Sequence, residues 1–226
     1  MRYNTLLFDV DDTILDFKAA ELQGLTKLFA NHGYELSDEL LNSYQTLNQQ
    51  LWKDYEENKR TREEVLNTRF GLFFEQLGKK VDSAAVEKEY RQYLNQGSQR
   101  LGNSLAIVSD LAKKANLYVV TNGVAKTQYQ RLEAASLLPY FKDVFVSETI
   151  GYQKPRIEFF QHVFNKIKIA PVDLEKTVII GDSLSSDIQG GKNAGIDTIW
   201  LNANQQKANI QPTHTIQTLD EIYQIL

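Results

Sequence analysis

Residues 5–13 read Thr5-Leu6-Leu7-Phe8-Asp9-Val10-Asp11-Asp12-Thr13, an apolar run closed by acids. The run Thr5–Val10 predicts a buried strand. The chain then changes character, because from Asp16 to about Gly97 the pattern is helical throughout. Ser37 can cap a helix through Leu40, Leu41, Tyr44, Leu47 and Leu51. Thr61 with Glu64 makes a capping box ahead of Val65, Leu66, Phe70, Phe73 and Leu77, and Gly78 can end that helix. A further helix, from about Asp82 to Asn95, carries Val86, Tyr90 and Leu94. After Gly97 short apolar runs return: Leu117–Thr121, Val144–Ser147, Thr177–Gly181, Thr198–Leu201 and Thr213–Ile216. Helical stretches separate most of them: Ser104–Ala115, Ala125–Ala135, Arg156–Ile167 and Ser186–Ala194. Val/Ile-rich runs alternating with helices predict a parallel sheet covered on both faces. The first strand belongs to that sheet in character. The fold class is therefore α/β: a body of residues 1–15 and 97–226, with an all-helical module, residues 16–96, inserted after the first strand.

Composition narrows the function classes. The chain has 226 residues, enough for a core that needs no staples. With no cysteine there is no disulfide, no thiolate metal site and no cysteine nucleophile. Basic and acidic residues number 25 and 29, without the basic excess or stripe of a nucleic-acid binder. No apolar run approaches the ~18 residues of a spanning helix, and acids cut short the apolar N-terminal run that a signal peptide would need. The expectation is a cytoplasmic protein with no nucleic-acid, membrane or protein partner evident.

Ligands of open parallel sheets bind beyond the carboxyl ends of the strands, so the residues there carry the argument. The first strand ends in Asp9-Val10-Asp11-Asp12-Thr13, and the Leu117 strand in Thr121-Asn122-Gly123. The Val144 strand leads to Lys154-Pro155, and the Thr177 strand ends in Gly181-Asp182-Ser183, with Asp187 shortly after. Taken singly, each has a plain structural reading: an acidic turn, a helix cap with a permissive glycine, a solvated lysine, a helix start. A calcium loop at Asp9 fails, because Ile14 stands where that loop needs glycine and Ala20 where it needs glutamate. Asp9 and Asp11 have strand period and can point the same way. Two adjacent carboxylates disfavour joint ionisation unless a cation or proton intervenes.

Carboxylates with no cysteine or histidine beside them suit a hard divalent cation such as Mg²⁺. A lysine and the backbone N–H groups of helix starts suit an anion. Together they describe a phosphoryl-transfer site. His32, His162 and His214 are scattered outside these clusters, so a covalent intermediate would form on a carboxylate.

These four clusters, in this order around a helical insertion, resemble the haloacid-dehalogenase (HAD) superfamily of phosphatases. SETIGYQKP (residues 147–155), YFKDVFVSE (140–148) and GDSLSSDIQGGKNAGIDTIW (181–200) resemble, more narrowly, the bacterial pyrimidine 5′-nucleotidases. The resemblance implies a Rossmann-like sheet with the helical insertion as a cap that closes over the site. It implies Asp9 as nucleophile and Asp11 as general acid and then base. Asp9, the backbone carbonyl of Asp11 and Asp182 would hold Mg²⁺, with Mn²⁺ as the alternative and Asp187 as a further ligand or its orienter. Thr121, the N–H of Asn122 and neighbouring Gly123 would hold phosphate oxygens, and Lys154 would offset their charge. The substrate would be a small phosphate monoester, a nucleoside monophosphate first, with a sugar phosphate as the runner-up. A phosphomutase, a haloacid dehalogenase and a phosphate-binding module with a vestigial site are the competing readings. The aromatics Phe17, Tyr44, Trp52, Tyr55, Phe70, Phe73 and Phe74 could stack on a base, but helical spacing favours core packing for each.

Overall fold

The computed structural model describes residues 2–226. The chain divides into two compact units, Met1–Phe17 with Ser98–Leu226, and Lys18–Gly97. The first is built on six strands: β1 (Thr5–Phe8), β2 (Asn116–Thr121), β3 (Asp143–Val146), β4 (Thr177–Gly181), β5 (Asp197–Leu201) and β6 (His214–Ile216). They form one sheet in the order β3-β2-β1-β4-β5-β6, and every pairing is parallel. The parallel sheet flanked by helices expected from the sequence is present.

Period-two alternation sends the strand side chains to two separate cores. Leu6 and Phe8 pack with Val119, Val178, Ile180 and Ile199 on one face. Leu7 packs with Val120, Phe145 and Ile179 on the other. Helix α1 (Phe17–Asn31) only begins in this unit, and α2 (Asp38–Glu56), α3 (Arg62–Gln76) and α4 (Ser83–Leu94) belong to the other. The α-helices of the sheet unit are α5 (Ser104–Leu111), α6 (Ala125–Ala134), α7 (Ser147–Ile150), α8 (Ile157–Ile167) and α9 (Gln189–Ala194). Ile107, Val108 and Leu111 of α5 and Leu132 of α6 cover the first face. Phe159, Phe160 and Val163 of α8 cover the second.

Among the expected element bounds that shift, three have a clear local reason. The first strand stops at Phe8, because the carbonyl of Val10 accepts from the N–H groups of Thr13, Ile14 and Leu15 and so turns the chain. Ser147 leaves the third strand to begin α7, which Gly151 ends with φ +85°. The helix expected at Ser186 opens instead as a wider π-type turn, Leu184–Ile188, before α9.

The helical unit contains most of α1, then α2, α3 and α4. Its caps follow the sequence reading: Ser37 accepts from the N–H of Leu40, and Thr61 with Glu64 forms a reciprocal box. Asp82 accepts from the N–H groups of Ala84 and Ala85. Tyr44, Phe70, Phe73 and Phe74 are fully buried and pack on one another. Tyr44 stacks on Phe70 at 5.3 Å between centroids, and Phe29 meets Phe73 edge-on at 5.5 Å. These four rings are core. Among the described residues, no helix is long and apolar enough to cross a membrane.

Candidate active site

The carboxyl ends of β1, β2 and β4 lie side by side, because Phe8 pairs with Val119 on one flank and Ile180 on the other. The N–H of Asp9 donates to the carbonyl of Ile180, extending the ladder by one residue. That bond fixes the backbone of Asp9, whose side chain is buried. The turn after it carries Asp12 at φ +55°, a left-handed conformation that aspartate tolerates better than most residues. Its Oδ1 accepts from the N–H of Phe17 at 3.1 Å, so Asp12 bonds locally.

Lys154 reaches the same place from the loop between α7 and α8. It is 1% exposed, and its ammonium has three donors to place. They go to Asp9 Oδ1 at 2.7 Å, Asp187 Oδ1 at 2.6 Å and the carbonyl of Val120 at 2.8 Å. Asn122 holds the backbone of this lysine in a two-bond clamp. Its Nδ2 donates to the Lys154 carbonyl and its Oδ1 accepts from the Lys154 N–H, both at 2.9 Å. The Asn122 side chain is thus occupied in aiming the lysine. The second oxygen of Asp187 accepts from the N–H of Ser183 at 3.1 Å.

Asp9, Asp182 and Asp187 each offer one carboxylate oxygen, all within 4.8 Å of one another. Burial pushes the carboxyl of Asp9 up to about 8, and the charges of Asp187 and Asp11 add to this while Lys154 opposes it. Asp182 is raised well above its ordinary range by burial and then by Asp187, Asp9 and Asp12. Lys154 moves the other way from what burial alone would do, because the two aspartates beside it favour the ammonium. Three carboxylates against one ammonium leave two negative charges in excess when all are ionised. Only oxygen donors converge, so the set fits a hard divalent cation of the Mg²⁺ type.

The Asp11 side chain stands outside this triad. Its Oδ1 pairs with Arg131 Nη1 and its Oδ2 accepts from Gln128 Nε2 at 2.7 Å. Thr121, at the end of β2, is buried, and its Oγ1 accepts from the N–H of Gly123 at 3.0 Å and from Gln128 Nε2 at 2.9 Å. The structure therefore groups the expected residues in two sets. Asp9, Asp182, Asp187, Lys154 and Asn122 form one, and Asp11, Thr121 and Gly123 the other, around Gln128.

The haloacid dehalogenase-like hydrolase family model matches residues 6–201. The chain belongs to that family. HAD-hydrolase YfnB of Bacillus subtilis is 47% identical over all of this chain and 96% of its own. Its crystal structure, bound to magnesium, matches with a TM-score of 0.95 over 100% of this chain and 99% of that one. Pyrimidine 5′-nucleotidase PynA of Streptococcus pneumoniae is 39% identical over all of this chain and 96% of its own. Pyrimidine 5′-nucleotidase YjjG of Escherichia coli is 29% identical over all of this chain and 99% of its own.

Sequence reasoning passed over Gln128 and Arg131. What marks them is the inward face of α6, which only the fold reveals. Positions 127, 128, 131 and 132 are buried, yet they read Thr, Gln, Arg, Leu. A helix that packs on a sheet ordinarily turns an apolar stripe inward. The histidines lie elsewhere: His32 pairs with Glu89 in the helical unit, His162 is exposed on α8, and His214 contacts Tyr3.

Proposed function

We propose that this hydrolase is a Mg²⁺-dependent phosphomonoesterase that acts through an aspartyl phosphate on Asp9, with Mn²⁺ as the alternative cation. Its proposed substrates are nucleoside 5′-monophosphates, pyrimidine ones foremost. The observation that carries the reaction type is the triad Asp9–Asp182–Asp187, buried at Asp9 and Asp187 and half-buried at Asp182, with Lys154 placed between two of its members. The names of the PynA and YjjG relatives support the substrate.

Asp9, Asp182, Asp187 and the backbone carbonyl of Asp11 are the groups proposed to hold the cation. Bound there, Mg²⁺ would neutralise the phosphoryl oxygens as charge shifts among them. A carboxylate oxygen of Asp9 attacks phosphorus, and the bond from phosphorus to the ester oxygen breaks. Asp11 gives its proton to the departing alkoxide, releasing the nucleoside. Asp11, now a carboxylate, takes a proton from water as that water attacks phosphorus, and the bond to Asp9 breaks. Phosphate leaves, and both aspartates return to their starting forms. Lys154 keeps Asp9 oriented through a bond that burial makes strong. Thr121 and the N–H of Asn122 are the proposed donors to the phosphate oxygens, with the N–H of Gly123 spent on Thr121 Oγ1.

The test is a panel of monophosphates with Mg²⁺ and with EDTA. The expected order in kcat/KM places dUMP, dTMP and UMP above purine nucleotides and sugar phosphates, with all activity lost in EDTA. Sugar phosphates outrunning the pyrimidine nucleotides would overturn the substrate, and hydrolysis that persists in EDTA would overturn the cation.

A further inference from the structure

Around Asp11 the fold spends unusual resources. Arg131 is fully buried, and burying a guanidinium is costly unless it is paired. Its Nη1 pairs with Asp11 Oδ1 and also lies 3.4 Å from Gln128 Oε1. Gln128 is 1% exposed, and its Nε2 donates to both Asp11 Oδ2 and Thr121 Oγ1. The two residues stand one helical turn apart on α6, on the same face. The guanidinium lies over the ring of Phe17 at 5.6 Å. Gly123 completes the arrangement. A Cβ there would sit 2.4 Å from Gln128 Nε2 and 2.8 Å from its Cδ, so only glycine leaves room for this amide.

We propose that Gln128 and Arg131 are positioning residues for Asp11: together they hold both carboxylate oxygens from the α6 side and tie Asp11, through Gln128, to the Thr121 hydroxyl. The geometry explains why the buried face of α6 is polar. Each carboxyl oxygen has more than one bonding direction, so Asp11 gripped from one side keeps the other for a proton donated to the leaving group and, once it is a carboxylate, for a proton accepted from water. Holding it there removes the rotamer search that would otherwise precede each proton transfer. The inference rests on the proposed acid–base role of Asp11.

The test separates proton donation from general damage by the leaving group. An alkyl ester such as UMP needs a proton on its departing oxygen, whereas the nitrophenolate of p-nitrophenyl phosphate leaves well without one. kcat/KM reports only the steps through phosphoryl transfer to Asp9. Positioned acid catalysis contributes about 10²-fold or more, so Arg131→Met should lower kcat/KM for UMP by about that factor and leave p-nitrophenyl phosphate much less affected. Gln128→Met should show the same bias, with an added loss on both substrates through Thr121. Arg131→Lys, which keeps the charge and loses the fork, should recover part of the UMP rate. In an Asp11→Asn background, Arg131→Met should cost nothing further. Equal losses on both substrates, or a full additional loss in the Asp11→Asn background, would overturn the proposal. If Asp11→Asn itself shows no leaving-group bias, the acid–base reading fails instead. Arg131→Met nearly conserves volume, and Asp11 is about a third exposed at its side chain, so the variant should fold. Its unfolding curve in urea verifies this.

Discussion

Gly181→Ala is the change that the geometry judges most severely for its size. Gly181 ends β4 in ordinary strand backbone, paired with Trp200 of β5. Alanine there meets no backbone objection. The added Cβ would lie 2.2 Å from Asp187 Oδ2, 2.3 Å from its Cγ and 2.6 Å from its Cβ. Ordinary carbon contacts begin near ~3.5 Å, so the Asp187 carboxylate must retreat by about 1 Å or more. Its bonds to Lys154 at 2.6 Å and to the N–H of Ser183 at 3.1 Å would then stretch past hydrogen-bonding range. Breaking a buried ion pair costs about 3–5 kcal/mol, a large share of the ~5–15 kcal/mol that holds a domain folded. Gly181→Ala should therefore lower the urea unfolding free energy by about 3–5 kcal/mol and weaken Mg²⁺ binding by calorimetry. The cause is tested by a double-mutant cycle with Asp187→Gly, which removes all three clashing atoms. In that background Gly181→Ala should cost little, giving a coupling of several kcal/mol. An equal cost in both backgrounds would refute the argument that this glycine exists to admit Asp187.

Asp9→Asn should lose turnover by several orders of magnitude in steady-state assays while the fold survives, since the amide keeps the shape and relieves the crowding of carboxylates. Burial holds the Asp9 carboxyl up to about 8, so the folded chain keeps a proton that the unfolded chain gives up near pH ~4. That contribution to stability is full below the unfolded value and fades as pH climbs toward the folded one. Urea stability in EDTA should consequently fall between about pH 5 and about pH 8, and Mg²⁺ or Asp9→Asn should each flatten the slope. An unchanged slope in Asp9→Asn would assign the effect elsewhere. In the helical unit, Phe73→Ala should cost about 3–5 kcal/mol by urea denaturation, because that ring is fully buried against Phe29 and Tyr44.

The sheet and the caps were legible because their causes are local. Apolar runs such as Thr177–Gly181 carry their burial in their composition, and Thr61 with Glu64 carries its capping box in its spacing. The strand-end rule selected Asp9, Lys154, Asp182 and Asp187 by position and residue type; the fold bonds Lys154 to Asp9 and Asp187 and brings oxygens of the three carboxylates within 4.8 Å of one another. What escaped the sequence depends on neighbours distant along the chain. Asn122 reads as a turn residue, and only the fold shows its amide clamping Lys154. Gly181 and Gly123 read as permissive backbone, yet neither has positive φ, and both are small so that Asp187 and Gln128 can approach. Gln128 and Arg131 look like an exposed helical pair until α6 is docked on the sheet. Asp11 shares strand period with Asp9, but the chain turns at Val10, and the Asp11 carboxylate goes to Arg131 instead of the triad.

The proposed phosphoryl carrier is Asp9, and trapping the intermediate tests it directly. Enzyme mixed with a nucleoside monophosphate and Mg²⁺, quenched in acid within one turnover and reduced with borohydride, converts an aspartyl phosphate to homoserine that peptide mass spectrometry can locate. Homoserine is expected at position 9, absent without substrate and absent in Asp9→Asn. Reduction at another residue, or none at any time within a turnover that releases nucleoside, would contradict it.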